Sequence, residues 1–305
     1  MMPMSGLLSI LNLGFRKCFL ILLLSILCAG TANAGIKIVD DFGRTVEIQH
    51  PAEKIIALYG SFNEIIYAMG QGNRLIARTA ADNYPSQILK LPSIGTHMRP
   101  NVELITSLKP DLILQMAGRP KALTVLDPLE KFGIPCAVFK VSSFADLFSV
   151  IKRLGVLTGS ESGASDLIEN MKGRLSAVRS KIESGSQPTV FFEIRYPNLL
   201  GAGNASIVND IINKSGGINC IKANKKISRI GEEELMKLNP DVYIYQKGRM
   251  NPSPVSPAKR KLFSMLGAVK NNRIYEVDES VFSRPGPRNV DAVEILSEIL
   301  SSKGN

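Results

Sequence analysis

Glu103-Leu104-Ile105-Thr106-Ser107-Leu108-Lys109-Pro110-Asp111-Leu112 reads as a short helix, a Pro-Asp turn and the opening of an apolar strand. The chain writes the same pattern again as Glu233-Glu234-Leu235-Met236-Lys237-Leu238-Asn239-Pro240-Asp241-Val242, and in both copies a Glu stands seven residues before the Pro. A repeated helix–turn–strand unit implies two similar α/β halves.

The flanking sequence supports this. Around the first copy, strand-like stretches (Lys54–Leu58, Leu75–Ala77, Ser93–Ile94, Leu112–Leu114, Cys136–Phe139) alternate with helical ones (Ser61–Met69, Val102–Ser107, Lys121–Phe132, Phe144–Leu157). Such alternation predicts a mainly parallel sheet flanked by helices. A hairpin is expected before it, Ile36–Val39 against Arg44–Ile48. Ser61 and Glu64 have capping-box spacing at the start of the first helix, and Gly70 suits its end. Around the second copy, Thr189–Ile194, Val242–Tyr245 and Ile274–Val277 are expected strands and Val290–Leu300 a closing helix. Between the halves, Leu167, Met171, Leu175, Val178 and Ile182 recur at spacings of three and four. They predict one helix over Ser162–Glu183, ~35 Å long at 1.5 Å per residue. The expected fold class is therefore α/β, with two lobes, each a mainly parallel sheet flanked by helices, one long rigid α-helix joining them and a ligand cleft between. The expected boundaries are 35–160, 161–185 and 186–305.

Residues 1–34 stand apart. Arg16 and Lys17 precede an apolar run from Cys18 to Gly30, and Ala32-Asn33-Ala34 places small residues where a signal peptidase reads. The run is shorter than the roughly 20 residues a membrane-spanning helix needs. Export with cleavage near Gly35 is expected, giving a periplasmic protein. Lipid anchoring at Cys28 is the alternative, disfavoured because Ile26-Leu27 precede it. Of the remaining cysteines, Cys136 lies in an apolar strand and Cys220 in the other half, so buried free thiols are expected in preference to a disulfide.

The formal charge is +10, or +8 once Arg16 and Lys17 are removed. The basic residues are scattered with no aromatic interleaving, which argues against nucleic acid and fits an anionic small ligand or simple solubility. Enzymatic constellations are missing. Gly201-Ala202-Gly203-Asn204-Ala205-Ser206 fails the dinucleotide fingerprint at its last position, and no phosphate loop or nucleophile elbow occurs. Two distant histidines, His50 and His97, do not build a catalytic triad or a three-His zinc site. A secreted metal-dependent enzyme or a sensor subunit is thus the disfavoured alternative class.

The order and spacing of five stretches carry a resemblance: Asp41–Val46, Asn63–Gly70, Leu108–Leu114, Ser215–Asn219 and Arg284-Pro285-Gly286-Pro287-Arg288. Together they resemble the periplasmic binding proteins for ferric siderophores, haem and vitamin B12 that feed ABC importers, over residues 36–303. The resemblance implies a binding protein without cofactor, monomeric, partnered by an inner-membrane permease and its ATPase. It implies a stiff single-helix hinge and one glutamate per lobe docking onto permease arginines, here Glu103 and Glu233. It implies ligand contacts from loops at the strand ends. On the first lobe these are Tyr59, the loop of Ala81 and Tyr84, and His97, Met98 and Arg99. On the second they are Arg195, Tyr196, Leu200 and Arg249. Arginine forks suit carboxylates and tyrosine rings suit stacking. His97 is the one position where the resemblance allows a metal ligand; no other is expected. Ala81, His97 and Ile227 replace aromatic residues of vitamin B12 binders, which favours a ferric chelate. Haem, a corrinoid or an oxyanion on the same fold remain the alternatives.

Overall fold

The computed structural model describes residues 35–118, 123–182 and 187–302. The expected export segment 1–34, Cys28 included, lies outside them, as do residues 183–186, where the expected linking segment gives way to the second lobe.

The chain opens with the expected hairpin, β1 (Ile36–Val39) against β2 (Thr45–Ile48), in register Ile36↔Ile48 to Val39↔Thr45. Asp40 builds the turn: its Oδ1 accepts from the backbone N–H of Phe42 and Arg44, and Gly43 supplies the positive φ of 73°. The first lobe's sheet combines β3 (Ile55–Ala57), β4 (Leu75–Ala77), β7 (Leu112–Met116) and β8 (Cys136–Phe139), ordered β4-β3-β7-β8 and wholly parallel. Ser93 contributes only a single bridge to Arg78. It leads into a small hairpin, β5 (Gly95–Thr96) and β6 (Arg99–Pro100). Helices α1 (Gly60–Ala68), α2 (Val102–Ser107), α3 (Leu126–Lys131) and α4 (Phe144–Thr158) cover the sheet.

Besides the strand expected at Ser93–Ile94, two helix expectations need correction. The helix expected over Lys121–Phe132 begins only at Leu126, residues 121 and 122 lying outside the described part. Pro128 explains the late start, because a residue without an N–H fits the first helical turn but not the interior. The Ser61–Glu64 capping box does not form. The N-cap of α1 is Tyr59, which has no side-chain cap; Ser61 falls inside the first turn, and Glu64 reaches for a partner far along the chain.

Helix α5 (Glu161–Lys181) runs for 21 residues, and the described chain passes from one sheet's strands to the other's along it. Ala164, Met171 and Val178, seven apart, form its buried stripe. At Gly163 a side chain would stand 2.6 Å from the Met69 carbonyl oxygen, whereas at Gly173 it would meet nothing within 4 Å.

The second sheet centres on β9 (Thr189–Arg195). On one side β13 (Val242–Lys247) and β14 (Ile274–Asp278) extend it in parallel. On the other comes β10 (Leu200–Ala202), antiparallel to β9, then β12 (Ile227–Arg229), antiparallel to β10, while β11 (Ile218–Asn219) pairs in parallel with the start of β9. Helices α6 (Ile207–Lys214), α7 (Glu232–Leu238), α8 (Gly267–Lys270), α9 (Glu279–Phe282) and α10 (Asn289–Ser301) complete the lobe.

The repeat is structural as well as textual. α2 leads into β7 and α7 into β13; Lys109 and Asn239, each just before the Pro, take left-handed φ of 49° and 38°. One apolar cluster spans both lobes, from Ile55 and Phe62 through Phe144, Met171 and Val190 to Val293. Cys136 and Cys220 are both buried free thiols. Among the described residues, no helix is long and apolar enough to cross a membrane.

Candidate ligand-binding cleft

The first lobe's expected residues gather at the C-terminal ends of its strands. Tyr59 follows β3 and caps α1. His97 and Met98 form the two-residue turn between β5 and β6, a sharp reversal that Gly95 permits with φ of 89°. This places the His97 ring edge-on to Tyr59, centroids 6.0 Å apart. Met98 is half-buried and Arg99 exposed. Burial pushes the Tyr59 hydroxyl above its usual pKa, opposed by the nearby Arg284 cation.

Behind Tyr59 sits Asp82, 2% exposed. Its carboxylate accepts from Thr79 N–H and from the Asn63 amide. Burial raises its pKa in spite of those bonds. Gly60 is obligatory beside it, since a Cβ there would lie 2.5 Å from Asp82 Oδ1 and 3.1 Å from Arg284 Nη1.

The second lobe supplies cations. Arg195 ends β9, and its Nε is shielded from solvent without a hydrogen-bond partner among the described residues. Arg249 is exposed and donates from Nη2 to the carbonyl of Ala80, 3.2 Å away on the first lobe. Arg229, on β12, shares with Arg195 the strand position opposite Leu200. Lys226, just before β12, is open to solvent, yet surrounding protein lowers its pKa by desolvation, as expected for a side chain set in a concavity.

Tyr196 is more committed than expected. The Arg260 guanidinium lies 3.8 Å from its ring centroid and Phe263 meets it at 5.9 Å, while its hydroxyl donates to Glu232. Arg260 is itself locked by a two-pronged bond to Glu193, with both side chains almost fully buried. Leu200 is half-buried at the start of β10. Tyr84, 46% exposed, presents its ring to the Arg288 guanidinium at 4.1 Å. Beside that pair a groove of about 290 Å³ runs between the lobes, lined by Glu64, Tyr67, Tyr84 and Pro85 on one side and Pro287 and Arg288 on the other.

Glu64, Arg284 and Arg288 were not among the expected site residues. The sequence carried a signal in the two arginines that bracket Pro285-Gly286-Pro287, a stiff turn presenting two cations together. Glu103 and Glu233 are both exposed in the first turns of α2 and α7. Among the described residues, no three His, Cys, Asp or Glu side chains gather to hold a metal ion.

A family model described as periplasmic binding protein matches residues 55–281, most of the described chain. The protein belongs to that family. An uncharacterised ABC transporter substrate-binding lipoprotein of Bacillus subtilis, YvrC, is 30% identical over 269 residues, covering 86% of this chain and 84% of the relative. A possible iron-binding, periplasmic solute-binding protein from Staphylococcus epidermidis superposes with a TM-score of 0.71 at 28% identity, covering 83% of this chain and all of that one. BtuF, the periplasmic vitamin B12 binding protein of Vibrio cholerae, gives 0.70 at 25% identity over 82% and 97%. The family's members are non-enzymatic transport components. This chain is accordingly a substrate-binding component of an ABC importer, taking a small-molecule ligand and working with a membrane permease and its ATPase.

Proposed function

We propose that the protein captures an iron chelate of the ferric-siderophore type outside the cytoplasm and delivers it to an inner-membrane permease. In this reading residues 1–34 direct export, 35–160 and 186–305 are the lobes and 161–185 joins them. Tyr59, Tyr84, His97, Met98, Arg99, Arg195, Tyr196, Leu200 and Arg249 face the ligand, and Glu103 and Glu233 dock the permease.

The observation that supports the reading is the cationic character of the second lobe: Arg195 ends β9, Arg229 stands opposite Leu200, Lys226 just precedes β12, and Arg249 reaches Ala80 of the first lobe. Arginine forks and a lysine recognise carboxylates and other hard anionic groups, as found on ferric chelates. A chelate also brings its own metal ligands, so the cleft needs no protein cage around the iron.

The test is the visible spectrum of protein purified from its native host. Ferric chelates, haem and corrinoids absorb at distinguishable wavelengths. A ferric charge-transfer band supports the reading. A haem or corrinoid spectrum replaces it with that ligand, and a colourless protein that retains bound oxyanion by elemental analysis replaces it with an oxyanion.

A further inference from the structure

We propose that Glu64, Arg284 and Arg288 form a latch that fixes the angle between the two lobes, and that the linking helix does not set this angle by itself. Glu64 lies on α1 in the first lobe; the two arginines flank Pro285-Gly286-Pro287 in the second. Arg288 grips the carboxylate with both prongs, Nε to Oε2 at 2.8 Å and Nη2 to Oε1 at 2.7 Å. Arg284 Nη1 stands 3.6 Å from the same Oε1. The Glu64 side chain is 3% exposed and the arginines 17–18%. Salt screens so enclosed a contact far less than a surface pair.

The turn is built to hold this geometry. Asn289, fully buried, accepts from Gly286 N–H and donates to the carbonyls of Val281 and Arg284. The flanking prolines restrict the backbone, so both guanidinium groups are presented together. Tyr84 closes over the outer face of Arg288. Burial opposes the Arg288 charge, but the bonds to Glu64 outweigh it and hold its pKa above the ordinary value.

Besides the shared apolar cluster, polar contacts also join the lobes elsewhere among the described residues. Phe144 N–H at the start of α4 donates to Asp210 on α6 at 2.7 Å, and Arg249 reaches Ala80. A buried bidentate contact away from the linking helix opposes bending about the end of that helix. A latch that fixes this angle makes the cleft pre-set, so capture needs little movement.

The test uses spin labels at Lys131→Cys and Lys270→Cys, exposed residues of opposite lobes, with Cys136→Ala and Cys220→Ala removing the native thiols. Pulsed dipolar spectroscopy then reads the inter-lobe distance distribution. The parent should give one narrow peak. Glu64→Ala should broaden it at least twofold, with far-ultraviolet circular dichroism unchanged. If Glu64→Ala does not fold, Arg288→Lys serves instead, because it keeps the charge and loses the fork; it should broaden the peak less but measurably. A folded Glu64→Ala or Arg288→Lys protein with the parent's distribution would overturn the latch and leave the angle to the linking helix and the other inter-lobe contacts. The readout involves no ligand, so it is independent of which solute the cleft takes.

Discussion

Asp111 and Asp241 make the same connection in two different sheets. Asp111 accepts from the backbone N–H of Glu53 and Lys54, at the entry to β3; Asp241 accepts from the N–H and hydroxyl of Thr189, at the entry to β9. Each Asp follows the Pro of its repeat copy and ties its own strand to the parallel neighbour before the ladder begins. Hydrogen bonds as exposed as these contribute about 0.5–1.5 kcal/mol net. Asp111→Ala and Asp241→Ala should each lower stability by about that much in urea titrations. As the sites sit in separate sheets, the double variant should show the sum.

Glu103 and Glu233 share the repeat relationship, and both are exposed in the first turn of a short helix. If they are the permease contacts, Glu103→Ala with Glu233→Ala should leave ligand affinity of the purified protein unchanged while abolishing uptake by cells. Normal uptake by the double variant removes the docking role and leaves two carboxylates that merely suit a helix N-terminus.

Two glycines of the linking helix should respond in opposite directions. Gly173→Ala meets nothing and removes a flexible residue from a helix interior, so the melting temperature should rise, by up to about 1 kcal/mol in stability. Gly163→Ala would press its methyl onto the Met69 carbonyl, a backbone atom with little freedom to retreat, and stability should fall.

Stability should fall steeply in acid. Burial disfavours the Asp40 carboxylate, but bonds from Arg44, Phe42 and Val138 outweigh it and hold its pKa below the usual value. Asp146 behaves alike through Ser142 and Ser143, and the Arg174 bond lowers Glu294. A depressed folded-state pKa contributes stability that is present above the unfolded value, about 4, and disappears as pH falls through the folded value. Asp82, with its raised pKa, works in the opposite sense and loses stability as pH rises above about 4. Melting temperatures measured from pH 3 to 7 should therefore drop below about pH 4, and Asp40→Asn should flatten part of that drop.

The sequence was most legible where local chemistry decides structure. β8 begins and ends where expected, because Cys136–Phe139 is an apolar run preceded by Gly133 and Pro135 and followed by Lys140. α5 matches its periodic apolar stripe to within two residues. Strands of two or three residues, β10 to β12, escaped notice because so few positions carry no periodic signal. The candidate cleft was legible only by loop: Tyr59 and His97 do meet, but Tyr196 is taken up by Arg260, more than sixty residues further along the chain. Glu64 shows the limit best. Its spacing from Ser61 satisfies a local rule, and a guanidinium 224 residues away competes more strongly for its carboxylate. Neither partner's immediate sequence records that preference.

The apolar cluster shared by both lobes has a bearing on how the molecule comes apart. Ile55 of one sheet and Val190 of the other belong to the same continuous interior, bridged by Phe144 and Met171. Neither half can shed its partner without exposing oil-like surface to water. Heat or denaturant should therefore melt the chain in a single cooperative step, leaving no half-melted species for proteases in the surrounding space to find.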